Sequence, residues 1–252
     1  MAKTFLKYDK PLLTVMLQCE TPEVAVGRIR NANALGGEAF GLQVESLKPE
    51  YHNPVVYRRI FAEMKGKPVY VTFYRVAHNR GLTDDELAEG LITLAESGAT
   101  LCDVMGDMFC RHPEELTEDE EAIKKQIELI DKLHSLGAEV LMSSHIMKFT
   151  PAERVLQIAL EQKRRGADII KIVTGADNME QQLENLKITN MLKNELDVPF
   201  LFLSGKVNSI HRRLGGHLGN CMTLCVYEHD ALSTAAQPLL STMKIIRDNL
   251  DF

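Results

Sequence analysis

The sequence predicts a (β/α)8 TIM barrel, and three observations carry that expectation. Short apolar runs rich in β-branched residues recur about eight times and alternate with longer segments of helical period. The 252 residues match the size of one such barrel, and no linker-like or low-complexity stretch divides them, so residues 1–252 read as a single domain. No GxGxxG follows the first run and no GxxxxGK[ST] occurs anywhere, which removes the usual support for the alternative, an open doubly wound sheet.

In chain order the strand candidates are LLTVMLQ at 12–18, AFGLQVE at 39–45, PVYVTFY at 68–74, TLCDVM at 100–105, EVLMSSH at 139–145, DIIKIVT at 168–174, PFLFLS at 199–204 and MTLCVY at 222–227. Between them DELAEGLITLAESGA, EDEEAIKKQIELIDKLHSLGA and PAERVLQIALEQKRRGA are amphipathic, and Gly137 and Gly166 suit helix C-termini. Thr83 with Glu86 three residues on reads as a capping box, and Thr117 with Glu120 reads the same way. Thr150 offers a capping hydroxyl directly before Pro151 at a first helical position. The basic run at 163–165 reads as charge offsetting a helix dipole.

Composition narrows the function. Apolar residues at 45% and charged residues at 25% exclude disordered, collagen-like and coiled-coil classes. Lys and Arg total 29 against 35 Asp and Glu, and no basic block offers a surface to nucleic acid or anionic membrane. No apolar run approaches the length of a membrane helix, and Asp9, Lys10 and Pro11 interrupt the first twenty residues before a secretory segment could form, so a cytoplasmic address is expected. The five cysteines read as reduced core residues. Asp103, Asp107 and His112 in CDVMGDMFCRH read as a strand-end loop with solvated acids, and no metal or cofactor is expected.

Active sites of TIM barrels lie at the C-terminal ends of the strands, so polar residues late in apolar strands are the first candidates. His145 ends EVLMSSH, and Lys171 sits inside DIIKIVT on the next strand. A lysine desolvated among Ile and Val has a lowered pKa, which frees its lone pair to form a Schiff base with a ketone. The iminium acidifies the neighbouring carbon, and a histidine can move that proton to a leaving hydroxyl. A snorkelling edge-strand lysine and a hydrogen-bonded strand-end histidine account for the same residues without catalysis, so spacing alone leaves both readings open.

SSHIMKFTP at 143–151 resembles the S-x-H-D-F-x-x-T-P segment of type I 3-dehydroquinate dehydratases, and GADIIKIV at 166–173 resembles their G-A-D-I-x-K-I segment. The resemblance implies that Lys171 forms the Schiff base with 3-dehydroquinate and that His145 is the general acid and base, giving 3-dehydroshikimate and water in aromatic amino acid biosynthesis. IHRRLGGHLGN at 210–220 resembles I-S-R-L-A-G-x-x-x-G with Arg212 in register, and LSTAAQ at 232–237 resembles S-A-P-G-Q with Ser233 and Gln237 retained. By resemblance these three residues hold the substrate carboxylate and its adjacent hydroxyl, a role that suits a planar guanidinium. The resemblance also implies a homodimer.

The amino-terminal half departs from the pattern. The E-W-R-x-D segment is matched by Gly41-Leu42-Gln43-Val44-Glu45, and T-F-R-S-x-x-E-G-G aligns with TFYRVAHNR at 72–80. That places Tyr74 at the arginine position and His78 at the glutamate position beside the catalytic histidine, whereas a shift of one residue restores Arg75. Gln43, Tyr74, Arg75 and His78 are therefore the candidates to rebuild the hydroxyl pocket and the partner of His145. The competing readings are a class I aldolase-like or other imine-forming lyase on a different keto-acid, a ligand-binding relative that lost efficient turnover, and a phosphate site in the glycine-rich GGHLGN loop.

Overall fold

The computed structural model describes residues 4–205 and 210–250. Its strands are β1 (Leu12–Leu17), β2 (Ala39–Gln43), β3 (Val69–Thr72), β4 (Leu101–Met105), β5 (Glu139–His145), β6 (Ile169–Thr174), β7 (Phe200–Ser204) and β8 (Met222–Cys225). All pair in parallel in the order β7-β6-β5-β4-β3-β2-β1-β8. The remaining seam is closed where Cys221 N donates to Phe200 O at 2.9 Å and the Asn220 amide stands in for a strand backbone, accepting from Phe202 N at 2.8 Å and donating to Phe202 O at 2.9 Å. The result is the (β/α)8 barrel that the alternation predicts.

The helices are α1 (Pro22–Ala34), α2 (Pro54–Ala62), α3 (Asp84–Glu96), α4 (Glu120–Ser135), α5 (Ala152–Arg164), α6 (Met179–Glu195), α7 (Ile210–Leu214) and α8 (Leu240–Asn249). Their apolar stripes pack on the outward strand residues, such as Val69, Val71, Val140 and Ile170. A second cluster, with Met16, Tyr70, Leu101, Leu141, Ile169 and Leu201, fills the barrel interior. Strand alternation puts Leu101 and Asp103, Leu141, Ser143 and His145, and Ile169 and Lys171 on this inner face. Each series is apolar at its N-terminal end and polar toward the C-terminal mouth, and that gradient builds the site. A 3-10 turn at Phe5–Lys7 sits at the opposite end, where Glu139 accepts from Phe5 N at 2.9 Å and Leu6 N at 3.2 Å.

The Thr83 capping box forms as expected, and Gly137 and Gly166 take positive φ directly after α4 and α5. Two caps differ. Asp119, not Thr117, starts α4, because its carboxylate reaches Ala122 N at 2.8 Å. Pro151 keeps an extended ψ of 153° and is itself the cap of α5, while the Thr150 hydroxyl turns back to Lys148 O. Arg165 is no solvated helix end: it is 2% exposed and donates to Gly106 O, Gln126 Oε1 and Thr117 O at 2.6–3.0 Å, fastening the β4–α4 loop. Cys110 is exposed and Cys221 half-buried, so only Cys19, Cys102 and Cys225 belong to the core. The GGHLGN stretch joins α7 to the start of β8 and so lies at the N-terminal end of the barrel, which removes it from the mouth. Among the described residues no helix is long and apolar enough to cross a membrane.

Candidate active site

Register makes Ser143 the β5 neighbour of Lys171 and sets Asp103 beside Leu141, one inward position below, and hydrogen bonds between the three polar side chains bring them together in the interior. Lys171 Nζ lies 2.9 Å from Asp103 Oδ2, 2.9 Å from the Tyr70 hydroxyl and 2.8 Å from the Tyr74 hydroxyl. Both phenols donate to Asp103 Oδ2, and Ser143 Oγ donates to Asp103 Oδ1 at 2.6 Å. The surroundings of Lys171 are thus not the aliphatic ones expected from DIIKIVT. Strand alternation turns Ile170 and Ile172 outward and aims the amine at a carboxylate.

Burial opposes ionisation of Asp103, yet the Lys171 charge and the donors from Ser143, Tyr70 and Tyr74 outweigh it and hold the carboxyl below its ordinary range. Burial and the Asp103 charge push both phenols well above theirs, so they stay protonated as donors. Asp103 and Asp107 are accordingly not the solvated acids expected, being 1% and 3% exposed. Asp107 instead receives Arg75 Nη1 at 2.7 Å. Among the described residues no group of three or more His, Cys, Asp or Glu side chains converges as a metal site.

His145 ends β5 one pleat above Ser143. Its Nδ1 lies 2.7 Å from Glu115 Oε2, which also accepts from His145 N at 2.8 Å. Burial raises the Glu115 carboxyl, but the hydrogen bonds and charge of His145 lower it further, so its pKa is below the usual value. An ionised Glu115 makes Nδ1 the protonated nitrogen and leaves Nε2 as the base. Glu115 reaches this place from the 106–119 loop with a φ of 44°, and a Cβ on Gly106 would stand 2.4 Å from Glu115 O, so that glycine is required for the loop to seat. His78, expected beside His145, is exposed in a 3-10 turn at Ala77–Asn79. An acid from the next connection occupies the position assigned to it.

Of the two readings of TFYRVAHNR, the structure takes the unshifted one. Tyr74 follows Tyr70 and Thr72 on the inward parity of β3 and its ring meets His145 edge-on at 5.5 Å. Arg75 points the other way, forked onto Asp84 at 2.6 and 2.7 Å and onto Asp107, and braces two loops instead of lining the mouth. Gln43 ends β2 with its Oε1 buried and without a partner among the described residues, and its Nε2 lies 3.4 Å from Glu45. A side chain at Gly41, the position aligned with the glutamate of E-W-R-x-D, would strike Met16 Sδ at 2.3 Å and the Tyr70 ring at 2.9 Å, so these two residues fill the space beside it.

Arg212, on α7, is 9% exposed and donates Nε to Ser204 O at 2.9 Å. Among the described residues no carboxylate pairs with it, and burial lowers its pKa to about 10, which leaves a buried cation at neutral pH. His211, in place of a serine, is buried and neutral, its pKa lowered to about 3 by burial and by Arg212. It lies 2.7 Å from Thr189 Oγ1 and accepts from Ser204 N at 3.2 Å, which locks α7 to β7. Gln237 is buried, and its Oε1 has no partner among the described residues. Ser233 is not brought to Arg212: its hydroxyl donates to Asp230 O and accepts from Asp230 N within its own turn. Its neighbour Thr234 instead meets the mouth, accepting from Gln18 Nε2 at 2.8 Å.

The model of the type I 3-dehydroquinase family matches residues 13–251. The chain belongs to the type I 3-dehydroquinase family. A 3-dehydroquinate dehydratase of Syntrophotalea carbinolica is 29% identical over 170 residues, 65% of this chain and 62% of that protein, so the chain spans less than two thirds of this curated relative. One from Geobacillus thermodenitrificans is 32% identical over 92 residues, 36% of each chain. Among solved structures, 3-dehydroquinate dehydratase from Geobacillus kaustophilus superposes with a TM-score of 0.82 over 98% of this chain and 95% of that one, at 14% identity. The type I enzyme of Clostridium difficile with covalent modified comenic acid gives 0.79 over 96% and 92%, at 17% identity. At such identities the likeness of these family structures is one of fold, and the side chains of the site rest on the geometry given above.

Proposed function

We propose that this type I 3-dehydroquinase family member is a 3-dehydroquinate dehydratase, a hydro-lyase that works through an imine on Lys171. One observation carries the reading: a buried lysine and a glutamate-backed histidine stand on adjacent strands at the barrel mouth. Lys171 condenses with the ketone, the iminium acidifies the adjacent carbon, and His145 takes that proton and delivers it to the departing hydroxyl. Glu115 orients the imidazole and offsets the imidazolium charge that develops, as an acid behind a catalytic histidine does.

Arg212 supports a carboxylate-bearing substrate, since a buried guanidinium without an acidic partner among the described residues is stabilised by an incoming anion. The buried acceptors of Gln43 and Gln237, which have no partner among the described residues, suit substrate hydroxyls, which would satisfy them. The Glu115 carboxylate behind His145 favours turnover over a ligand-binding relative that lost it. The filling of the Gly41 region by Met16 and Tyr70 favours a second reading, imine-forming lyase chemistry on a keto-acid with fewer ring hydroxyls. Borohydride trapping with 3-dehydroquinate beside a panel of other keto-acids, with an ultraviolet assay for the enone, decides between them. A homodimer and a cytoplasmic address complete the proposal, and sedimentation velocity and cell fractionation check them.

A further inference from the structure

Imine formation needs two proton movements that precede any work by His145. An ammonium has no lone pair, so Lys171 must shed a proton before attack, and the carbinolamine hydroxyl must gain one to leave as water. All three Lys171 donors are engaged, two by phenols and one by Asp103, and both phenols pass their own hydrogens to the same Asp103 oxygen. His145 stands outside this cage, with Nδ1 bound to Glu115 and its ring against the edge of Tyr74. The two phenols are not equivalent. Tyr70 is fully buried beneath the lysine, whereas Tyr74 lies past the end of β3 on the mouth side, half-buried and 3.4 Å from Ser143 Oγ.

We propose that Tyr74 is a catalytic residue that relays protons between Lys171, Asp103 and the carbinolamine, so that imine formation runs on its own proton store and His145–Glu115 serves only the carbon–hydrogen and carbon–oxygen steps. The inference rests on the imine reading above. In the first step an ammonium proton passes to the Tyr74 oxygen while the Tyr74 hydrogen passes to Asp103, leaving a neutral amine and a neutral carboxylic acid. The amine lone pair then forms the C–N bond, the carbonyl π pair moves to oxygen, and an N–H proton shifts to that oxygen to give a neutral carbinolamine. Finally the Asp103 proton returns through Tyr74 to the carbinolamine hydroxyl, the C–O bond breaks to release water, and the nitrogen lone pair completes the C=N bond. The iminium cation then faces the Asp103 carboxylate, so the ion pair present at the start is restored with no proton drawn from His145.

The test is rapid-quench borohydride trapping with 3-dehydroquinate, following the mass of the Lys171 peptide against time. Tyr74→Phe, which keeps the ring and removes only the oxygen, should slow trapping by about 10²-fold while the adduct still accumulates to its full extent. Asp103→Asn should slow it comparably. His145→Ala should trap within about twofold of the wild-type rate yet form no enone. Wild-type trapping should be slower in deuterium oxide, and Tyr74→Phe should lose that dependence, which packing damage alone does not produce. Trapping by Tyr74→Phe at the wild-type rate, or slowing by His145→Ala to the same degree, overturns the relay alone. Absence of any wild-type adduct refutes the imine reading of the preceding subsection and the relay with it.

Discussion

Glu115→Gln is the substitution that isolates the acid behind His145. Glutamine matches the glutamate in shape, and its carbonyl can still accept from His145 Nδ1 and N, which lie 2.7 and 2.8 Å from Glu115 Oε2. What it removes is the negative charge. A hydrogen bond to a charged group contributes about 1.5–3 kcal/mol, against roughly 1 for a neutral one. If the developing imidazolium uses most of that difference, about 0.5–2 kcal/mol, in the transition state, kcat should fall about 2- to 25-fold, at 1.4 kcal/mol per decade. The rate of Lys171 trapping by borohydride should be unchanged, since Glu115 touches neither Lys171 nor Asp103 through any hydrogen bond among the described residues. The assay is steady-state enone formation beside rapid-quench trapping, with His78→Ala as the comparison because His78 is exposed. A Glu115→Gln enzyme with wild-type turnover, or a His78→Ala enzyme more impaired than it, refutes the assignment.

Three further outcomes follow from the same geometry. Arg212→Ala should raise KM by well over tenfold with a smaller effect on kcat, because it removes a buried cation that no carboxylate of the described protein pairs with; an unchanged KM takes Arg212 out of the substrate site. Gly106→Ala drives a Cβ to 2.4 Å from Glu115 O, so turnover should drop together with about 1–3 kcal/mol of stability, read by activity and thermal unfolding. Burial pushes the Glu45 carboxyl up to about 7 from 4.5, although Thr72 donates to it. The unfolded chain therefore gives up this proton from about pH 4.5 while the folded protein keeps it until about 7, so stability falls over that window by an amount on the order of 3 kcal/mol. Glu45→Gln should remove that fall, which a pH series of melting temperatures for both proteins measures.

What the sequence made legible followed from parity. Alternation along β5 and β6 puts His145 and Lys171 on one face near the strand ends, and each stands out as a polar group that interrupts an apolar run. The same counting favours Tyr74 over Arg75, since positions 70, 72 and 74 share a face, though the neighbouring arginine obscured it. Asp103 was visible as an acid between Cys102 and Val104, but a strand read alone does not reveal that its partner is a lysine 68 residues away. Glu115 was not legible. It is 30 residues from His145, it sits among acids that read as a solvated helix start, and it reaches inward only because Arg165 and Gly106 shape its loop. The one available sign was length, because 106–119 is long for a connection that usually takes about 2–6 residues. The misplaced caps at Thr117 and Thr150 have a simpler cause: a better acceptor two residues on in one case, and a proline that stays outside its helix in the other.

The proposed chemistry turns on one covalent bond, an imine between Lys171 and the substrate. The most direct test is borohydride reduction of the protein mixed with 3-dehydroquinate, followed by peptide mass mapping, with the enone followed in parallel. A reduced adduct is expected on the peptide bearing Lys171, with enone formation by the untreated enzyme and neither in Lys171→Ala. Enone formation by Lys171→Ala, or an adduct on a different lysine, would contradict it.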